Sequence, residues 1–333
     1  MMQNLIKEFP NQLTDALSLK NQIDSVKDKF NGIDKIAICG MGGSAFAGHI
    51  VKAVTNEYSR LPIIMIQGYE LPYWVDENTL FIACSYSGNT EETLTITKKA
   101  IDKTKNCFFI TTGGELLDIS EILDIPKHVF PGDSKCPRAG IGYPIVAILF
   151  LLETLEVFEK QGNVEALVND AVKELISYQE EIQTEAKKTA TLLKDRLAIV
   201  YSSDFLSPVS LRFTQQLAEN SEQLAHSNIT PEMNHNEIMG WNKPDFLFEK
   251  IAVLIFHSDF DNERNKKRLK ITQEIISKKS NVIEITAKGN SKLSQLLYLI
   301  HFSDWVSLEL AILNEVDASE IKNIDYFKNE LSR

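Results

Sequence analysis

The sequence predicts an α/β protein of two doubly wound, parallel-sheet domains, with a helical connection between them and helices at the C-terminus. Three observations predict this. Short apolar runs without polar alternation recur along the chain, most of them followed by a stretch of helical pattern. Such strands, alternating with helices, indicate a parallel sheet covered on both faces. The alternation stops near residue 143 and restarts near residue 196. Finally, 333 residues with 44% hydrophobic and 24% charged content suffice for two globular cores of ordinary size.

Residues 1–30 read as helical, with Leu5, Leu13, Leu17 and Ile23 among the apolar positions. The first strand is 35–39, followed by Gly40-Met-Gly-Gly43-Ser44-Ala45 and a helix to about Val54. The second strand is 62–66 and the third is 80–84, which runs into Ser85-Tyr-Ser87-Gly-Asn-Thr90 and a helix from about Glu91. A fourth strand covers 107–110, and a weaker one lies near 128–130. From about 143 to 188 the pattern is almost entirely helical and links the two halves. The second half then shows a strand at 196–201, a helix over 209–224, a strand at 251–256, a helix over 262–278, a strand at 282–285 and a helix over 292–313. It reads as a diverged structural copy of the first half, without a clear sequence repeat. The domains are expected at 1–155 and 156–333.

A net charge of −11, with no basic face or tail, argues against general nucleic-acid binding. It does not argue against a small phosphorylated ligand, which responds to local donors. The first residues contain no apolar stretch of signal-peptide length, and the most apolar run, 145–152, is too short to span a bilayer. The four cysteines lack metal-ligand spacing, and Cys39, Cys84 and Cys107 lie in strand-like segments as small buried hydrophobes. A reducing, cytoplasmic compartment is the expectation.

In an open parallel sheet, ligands bind beyond the carboxyl ends of the strands. The 85–90 loop sits at such an end. Its three hydroxyls, Ser85, Ser87 and Thr90, and its backbone N–H groups converge on the start of a helix, where the dipole favours an anion. Gly88 allows close backbone approach, and Thr90 is placed to cap the helix. The plain alternative is an ordinary N-cap ahead of Glu91-Glu92. The spacing Ser-x-Ser-Gly-x-Thr after a buried strand favours phosphate. The 40–45 loop formally matches a dinucleotide-binding pattern, but the next strand ends in Gln67-Gly68 with no acidic residue for a ribose, which argues against NAD. Arg138, in Cys136-Pro-Arg-Ala-Gly140, is either an exposed loop residue or a cation entering the same crevice to stabilise negative charge on a substrate oxygen. Glu219 and His235, the latter in a polar loop with Pro231, Glu232, Asn234, Asn236 and Glu237, supply two acid–base groups. Taken singly, each also reads as a solvated surface residue.

At these residues the chain resembles the bifunctional phosphoglucose/phosphomannose isomerases, which are built from two sugar-isomerase (SIS) domains. The resemblance covers nearly the whole chain. It rests on Gly42-Gly43-Ser44-Ala45, the 85–90 loop, Pro137-Arg138-Ala139, Glu219-Asn220, Pro231-Glu-Met-Asn-His235-Asn-Glu237 and Asp304-Trp-Val-Ser307. The serine loop is common to SIS domains, whereas the 231–237 segment is specific to the isomerase.

The resemblance implies that Gly43, Ser44, Ser85, Ser87 and Thr90 hold the substrate, the last three at its phosphate. It also implies Glu219 as the base between C1 and C2, His235 for ring opening and Arg138 for the enediolate. It implies a homodimer whose active site takes its His from the neighbouring subunit. The family often has Asp-Pro-Thr where this chain has Asp317-Ala318-Ser319; that Thr is linked with use of both sugar epimers, so Ser319 joins the expected substrate contacts. This chemistry takes no metal or redox cofactor when a carboxylate, a His and an Arg are correctly placed. The alternatives are a non-catalytic SIS sugar-phosphate sensor, in which Glu219 and His235 would be idle, or another SIS sugar-phosphate isomerase. No N-terminal Cys nucleophile with a glutaminase domain is present, which argues against an amidotransferase.

Overall fold

A computed structural model describes residues 1–24, 26–132, 136–159 and 163–331. The chain forms two compact units, Lys7–Lys173 and, together with Met1–Ile6, the chain from Glu174 onward.

In the first unit, strands β1 (Lys35–Cys39), β2 (Ile63–Ile66), β3 (Thr79–Ser85), β4 (Cys107–Thr111) and β5 (Lys127–Val129) form one parallel sheet in the order β2-β1-β3-β4-β5. All seven residues of β3 are buried, as expected of a central strand covered on both faces. One face packs Ala37, Cys39, Phe81, Ala83 and Phe109 against Leu94, Ile96 and Leu116. On the other face the helix Gly42–Thr55 comes so close that a Cβ on Gly48 would lie 2.9 Å from Ile38 Cγ2. The helix Gly142–Thr154 is apolar on every side and almost wholly buried, as an interior helix must be. The predicted helical stretch 143–188 is broken between Thr154 and Val164, then continues as Val164–Ser177 and Gln179–Leu193.

In the second unit, β6 (Leu197–Ser203), β7 (Ala225–Thr230), β8 (Ile251–His257) and β9 (Asn281–Thr286) form a parallel sheet in the order β7-β6-β8-β9. This repeats the β2-β1-β3-β4 order of the first sheet, so the two halves share a topology. In both, the connections diverge between the first strand and its inner neighbour, which is where such folds open a crevice. Strand β7 was not expected from the sequence. Its residues, Ala-His-Ser-Asn-Ile-Thr, carry no apolar run, and Thr230 alone among them is buried. It forms at the sheet edge through backbone pairing with β6, from Ala198↔Ala225 to Ser203↔Thr230.

The helix Lys292–Leu313 is long and apolar enough to cross a membrane, yet 83% of its most apolar window is buried. It serves as the central helix of this unit, packed on Gln179–Leu193 and Ser207–Ser221. All four cysteines are buried, and burial pushes the thiols of Cys39, Cys84 and Cys107 up to about 12.

Candidate active site

In the first unit, four short segments meet at the carboxyl edge of the sheet. Ser85 is the last residue of β3, and its Oγ lies 2.9 Å from Thr90 Oγ1. Thr90 occupies the N-cap position of the helix Glu91–Ile101, but its side chain makes no cap bond, contrary to the expectation that it caps. The first-turn N–H groups therefore have no side-chain acceptor from Thr90, and the helix start retains the donor character that suits an anion. Ser87 is exposed, and its Oγ accepts from Asn89 N at 3.2 Å. Ser44 Oγ accepts from Tyr86 N at 3.2 Å, which ties the 40–44 loop to the 85–90 loop.

Gly88 also has a packing role that the sequence did not reveal. It adopts φ +68, and a Cβ there would fall 1.8 Å from the Gly113 carbonyl oxygen. Its freedom serves packing against the 111–114 segment rather than ligand approach alone. That segment, with the helix turn that follows it, braces the serine loop: Thr112 N and Oγ1 both donate to Tyr86 O, Leu116 N donates to Gly88 O, and Glu115 N donates to Asn89 Oδ1. Its four residues, Thr-Thr-Gly-Gly, carried no ligand signal in the sequence; the paired glycines were the one available hint of close approach.

Arg138 lies in the short turn Pro137–Ala139 and is buried. Gln12 Nε2 fixes this turn by donating to Ala139 O at 2.8 Å. A Cβ on Gly43 would lie 3.6 Å from Arg138 Cα, and one on Gly140 would lie 2.6 Å from Tyr86 Cε2. The Arg138 turn thus sits against the starts of both hydroxyl-bearing loops.

In the second unit, Glu219 is half-buried in the last turns of the helix Ser207–Ser221. This helix is held to Lys292–Leu313 by a buried polar ladder. Arg212 Nη2 donates to both Asp304 oxygens at 3.0 and 3.1 Å, and Gln216 Nε2 donates to Asp304 Oδ1 at 2.8 Å. Asn220 Nδ2 donates to Ser307 Oγ at 2.9 Å, and Ser221 Oγ donates to Ser307 O at 2.8 Å. The ladder fixes the rotation of the helix, and so the side on which Glu219 emerges. Arg212, Gln216 and Asn220 recur every four residues, a polar stripe on a buried face that could have been read from sequence and was not.

The 231–237 segment follows β7 as tight turns rather than a loose polar loop. Glu237 accepts from Tyr201 Oη and Asn228 Nδ2, both at 2.5 Å, and lies 3.4 Å from His226 Nε2. Burial first, and then the Glu237 carboxylate, push the Tyr201 hydroxyl up and keep it a donor. Trp241 Nε1 in turn donates to Tyr201 Oη at 2.9 Å. Met233 is buried, Asn234 Nδ2 donates to Thr272 Oγ1 at 2.9 Å, and Asn236 Nδ2 donates to Glu232 Oε1 at 2.8 Å. The neighbours of His235 are thus engaged in building the turn, while His235 itself is exposed.

Glu219 and His235 do not meet within one chain. The helix bearing Glu219 ends before the amino end of β7, where Gln223 Nε2 donates to Arg196 O just ahead of β6. His235 leaves the carboxyl end of the same strand. Six residues of strand separate the two ends, roughly 20 Å at ~3.3 Å per residue. Ser319 is at the Glu219 end: its N donates to Asp317 Oδ1 at 2.8 Å, in a segment that starts with Asn314, whose Nδ2 donates to Ser221 O at 3.0 Å.

Residues 182–331 match the family model described as the bacterial phospho-glucose isomerase C-terminal SIS domain. A bifunctional phosphoglucose/phosphomannose isomerase from Caldicellulosiruptor bescii is 34% identical over 336 residues, 98% of each chain. The chain belongs to the bifunctional phosphoglucose/phosphomannose isomerase family. A D-glucosamine-6-phosphate 4-epimerase from Sulfolobus acidocaldarius is 30% identical over 240 residues, 71% of this chain and 72% of that one. In fold, the chain is similar to the C-terminal domain of glucosamine-fructose-6-phosphate aminotransferase from Francisella tularensis, with TM-score 0.79 and 15% identity over 96% of this chain and 98% of that one.

Within this bifunctional phosphoglucose/phosphomannose isomerase fold, the resemblance motifs acquire separate physical tasks. Asp304 and Ser307 pin the helix that carries Glu219. Glu237 cross-links β6 and β7 beneath the turn that presents His235.

Proposed function

We propose that this protein interconverts glucose 6-phosphate and mannose 6-phosphate with fructose 6-phosphate by moving a proton between C1 and C2 through an enediolate. The observation that carries this reading is similarity to a phosphoglucose/phosphomannose isomerase at 34% identity over 98% of both chains. The local geometry supports it. Ser85, Ser87 and Thr90 hold the phosphate at the start of the helix Glu91–Ile101, with Gly43 and Ser44 contributing from the adjoining loop. Glu219 is the base, His235 assists ring opening, Arg138 steadies the enediolate oxygen, and Ser319 contacts the sugar.

A positioned acid or base contributes typically ~10²–10⁴-fold, and a donor aimed at the developing oxyanion a further ~10²–10³-fold. Binding the unreactive phosphate helps hold C1 and C2 against the base. The two aldose phosphates differ only in configuration at C2, so one base serves both if the pocket admits rotation about C2–C3.

The separation of Glu219 and His235 along β7 supports a homodimer in which each site takes Glu219 from one copy and His235 from the other. Such an enzyme of sugar-phosphate metabolism belongs in the cytoplasm.

A coupled assay with each aldose phosphate, run with chelator and without added metal, is expected to show turnover of both. Absence of turnover with either sugar would favour a sugar-phosphate sensor. Mixing inactive Glu219→Gln and His235→Asn proteins under subunit exchange is expected to restore up to a quarter of wild-type activity. One of the two sites in each mixed dimer then carries both native groups. No recovery despite demonstrated exchange would refute the shared site.

A further inference from the structure

The terminal helix Lys322–Leu331 carries Ile324, Phe327 and Leu331 at i, i+3 and i+7, with Tyr326 beside them. None of its residues is buried, and Phe327 and Leu331 are 64% and 60% exposed. At ten residues it is shorter than the ~12–15 at which an isolated helix holds in water. Such a helix depends on packing of its apolar stripe. It begins at the Glu219 end of the second unit, with Lys322 within electrostatic reach of Glu222.

A second apolar surface follows His235. In the segment 237–250, Met239 and Phe246 are 71% and 76% exposed, and Leu247 is also exposed. One protomer therefore exposes an apolar helix face on a helix that starts at the Glu219 end of its unit, and apolar side chains in the segment that follows His235. A second copy that delivers its His235 to Glu219 carries the second surface toward the first. In a two-fold dimer this contact forms twice, once for each site.

We propose that the terminal helix of one copy packs its Ile324–Phe327–Leu331 face on the Met239–Phe246–Leu247 surface of a second copy, so that the contact supporting the helix also completes the site. The proposal rests on the shared-site reading above. It adds a named surface to that reading and makes the last helix part of the catalytic assembly.

The test is a Phe327→Asp/Leu331→Asp double variant of the full chain, compared with wild type by sedimentation velocity and amide hydrogen exchange. Both side chains are exposed in the protomer, so its folding does not require them. Wild type is expected to be a dimer with both 239–247 and 322–331 protected. In the variant the dimer dissociation constant is expected to rise at least tenfold. Protection is expected to fall in 239–247 as well, although nothing there has been substituted.

An unchanged dissociation constant, or loss of protection confined to 322–331, overturns the proposal. The mixing experiment separates the two ideas. Recovery of activity on mixing, with a double variant that dimerises normally, leaves the shared site standing and removes this contact. No recovery on mixing, with a weakened dimer and exposed 239–247, keeps the helix contact but overturns its role in completing the site. A monomeric wild type overturns both.

Discussion

At Gly88 two physical requirements coincide. Its backbone is left-handed, and its missing side chain leaves room for the Gly113 carbonyl. An added methyl group cannot be accommodated without separating the serine loop from its brace. Gly88→Ala is expected to raise KM for the sugar phosphates at least tenfold and to lower stability by about 1–3 kcal/mol, the range for strained backbone positions. Gly113→Ala is the control, because a Cβ there meets nothing within 4 Å and its φ is extended. Steady-state kinetics on both variants, with thermal melts, checks the contrast; equal KM values for the two would contradict it. The sequence marked Gly88 as a turn residue facing a ligand. It could not show that the residue's tightest neighbour is another loop, because that contact exists only once β3 and β4 are paired.

At the scale of elements, the pairing of Ser207–Ser221 with Lys292–Leu313 decides where Glu219 points. Asp304 and Arg212 are both buried, and removing one partner leaves the other charge uncompensated. Asp304→Leu is expected to cost about 3–5 kcal/mol in urea unfolding, whereas Arg212→Met combined with Asp304→Leu recovers most of that loss. Additive losses in the double variant would contradict the pairing. The helix 292–313 was legible to the residue, since an apolar run of that length, apolar on every side, reads as a buried interior helix. The ladder was not legible: Arg212 and Asp304 lie 92 positions apart, and a polar residue looks the same in sequence whether partnered or solvated. Strand β7 was missed for the complementary reason. An edge strand formed by backbone pairing needs no apolar run, so its polar residues merged with the His235 segment that follows. Glu219 and His235 were thus both selected from the sequence, while their placement at opposite ends of one strand was hidden.

Across the whole molecule, two buried histidines are expected to contribute to the acid limb of stability. Burial lowers His128 to about 4 and His301 to about 3. Among the described residues, neither ring nitrogen of His128 has a hydrogen-bond partner. In the unfolded chain both groups protonate near 6.5. The folded state, which keeps them neutral, therefore holds its full advantage above pH 6.5. That advantage falls as pH drops toward 4, where the unfolded chain binds protons that the folded one does not. His128 alone is expected to account for about 3 kcal/mol of that loss by pH 4. Replacing His128 with Leu is expected to flatten stability between pH 6.5 and 4, as followed by urea midpoints. An unchanged acid limb would show that the ring does not titrate on unfolding in this window.

The role of Glu219 is tested most directly by proton exchange. Fructose 6-phosphate incubated in D₂O with wild type is expected to gain deuterium at C1 as aldose phosphate forms. With Glu219→Gln the exchange is expected to fall by at least ~10²-fold, the lower bound for losing a positioned base. The sugar phosphate is still expected to raise the melting temperature of that variant, because the phosphate loop is intact. Undiminished exchange in Glu219→Gln would contradict the assignment of Glu219 as the base.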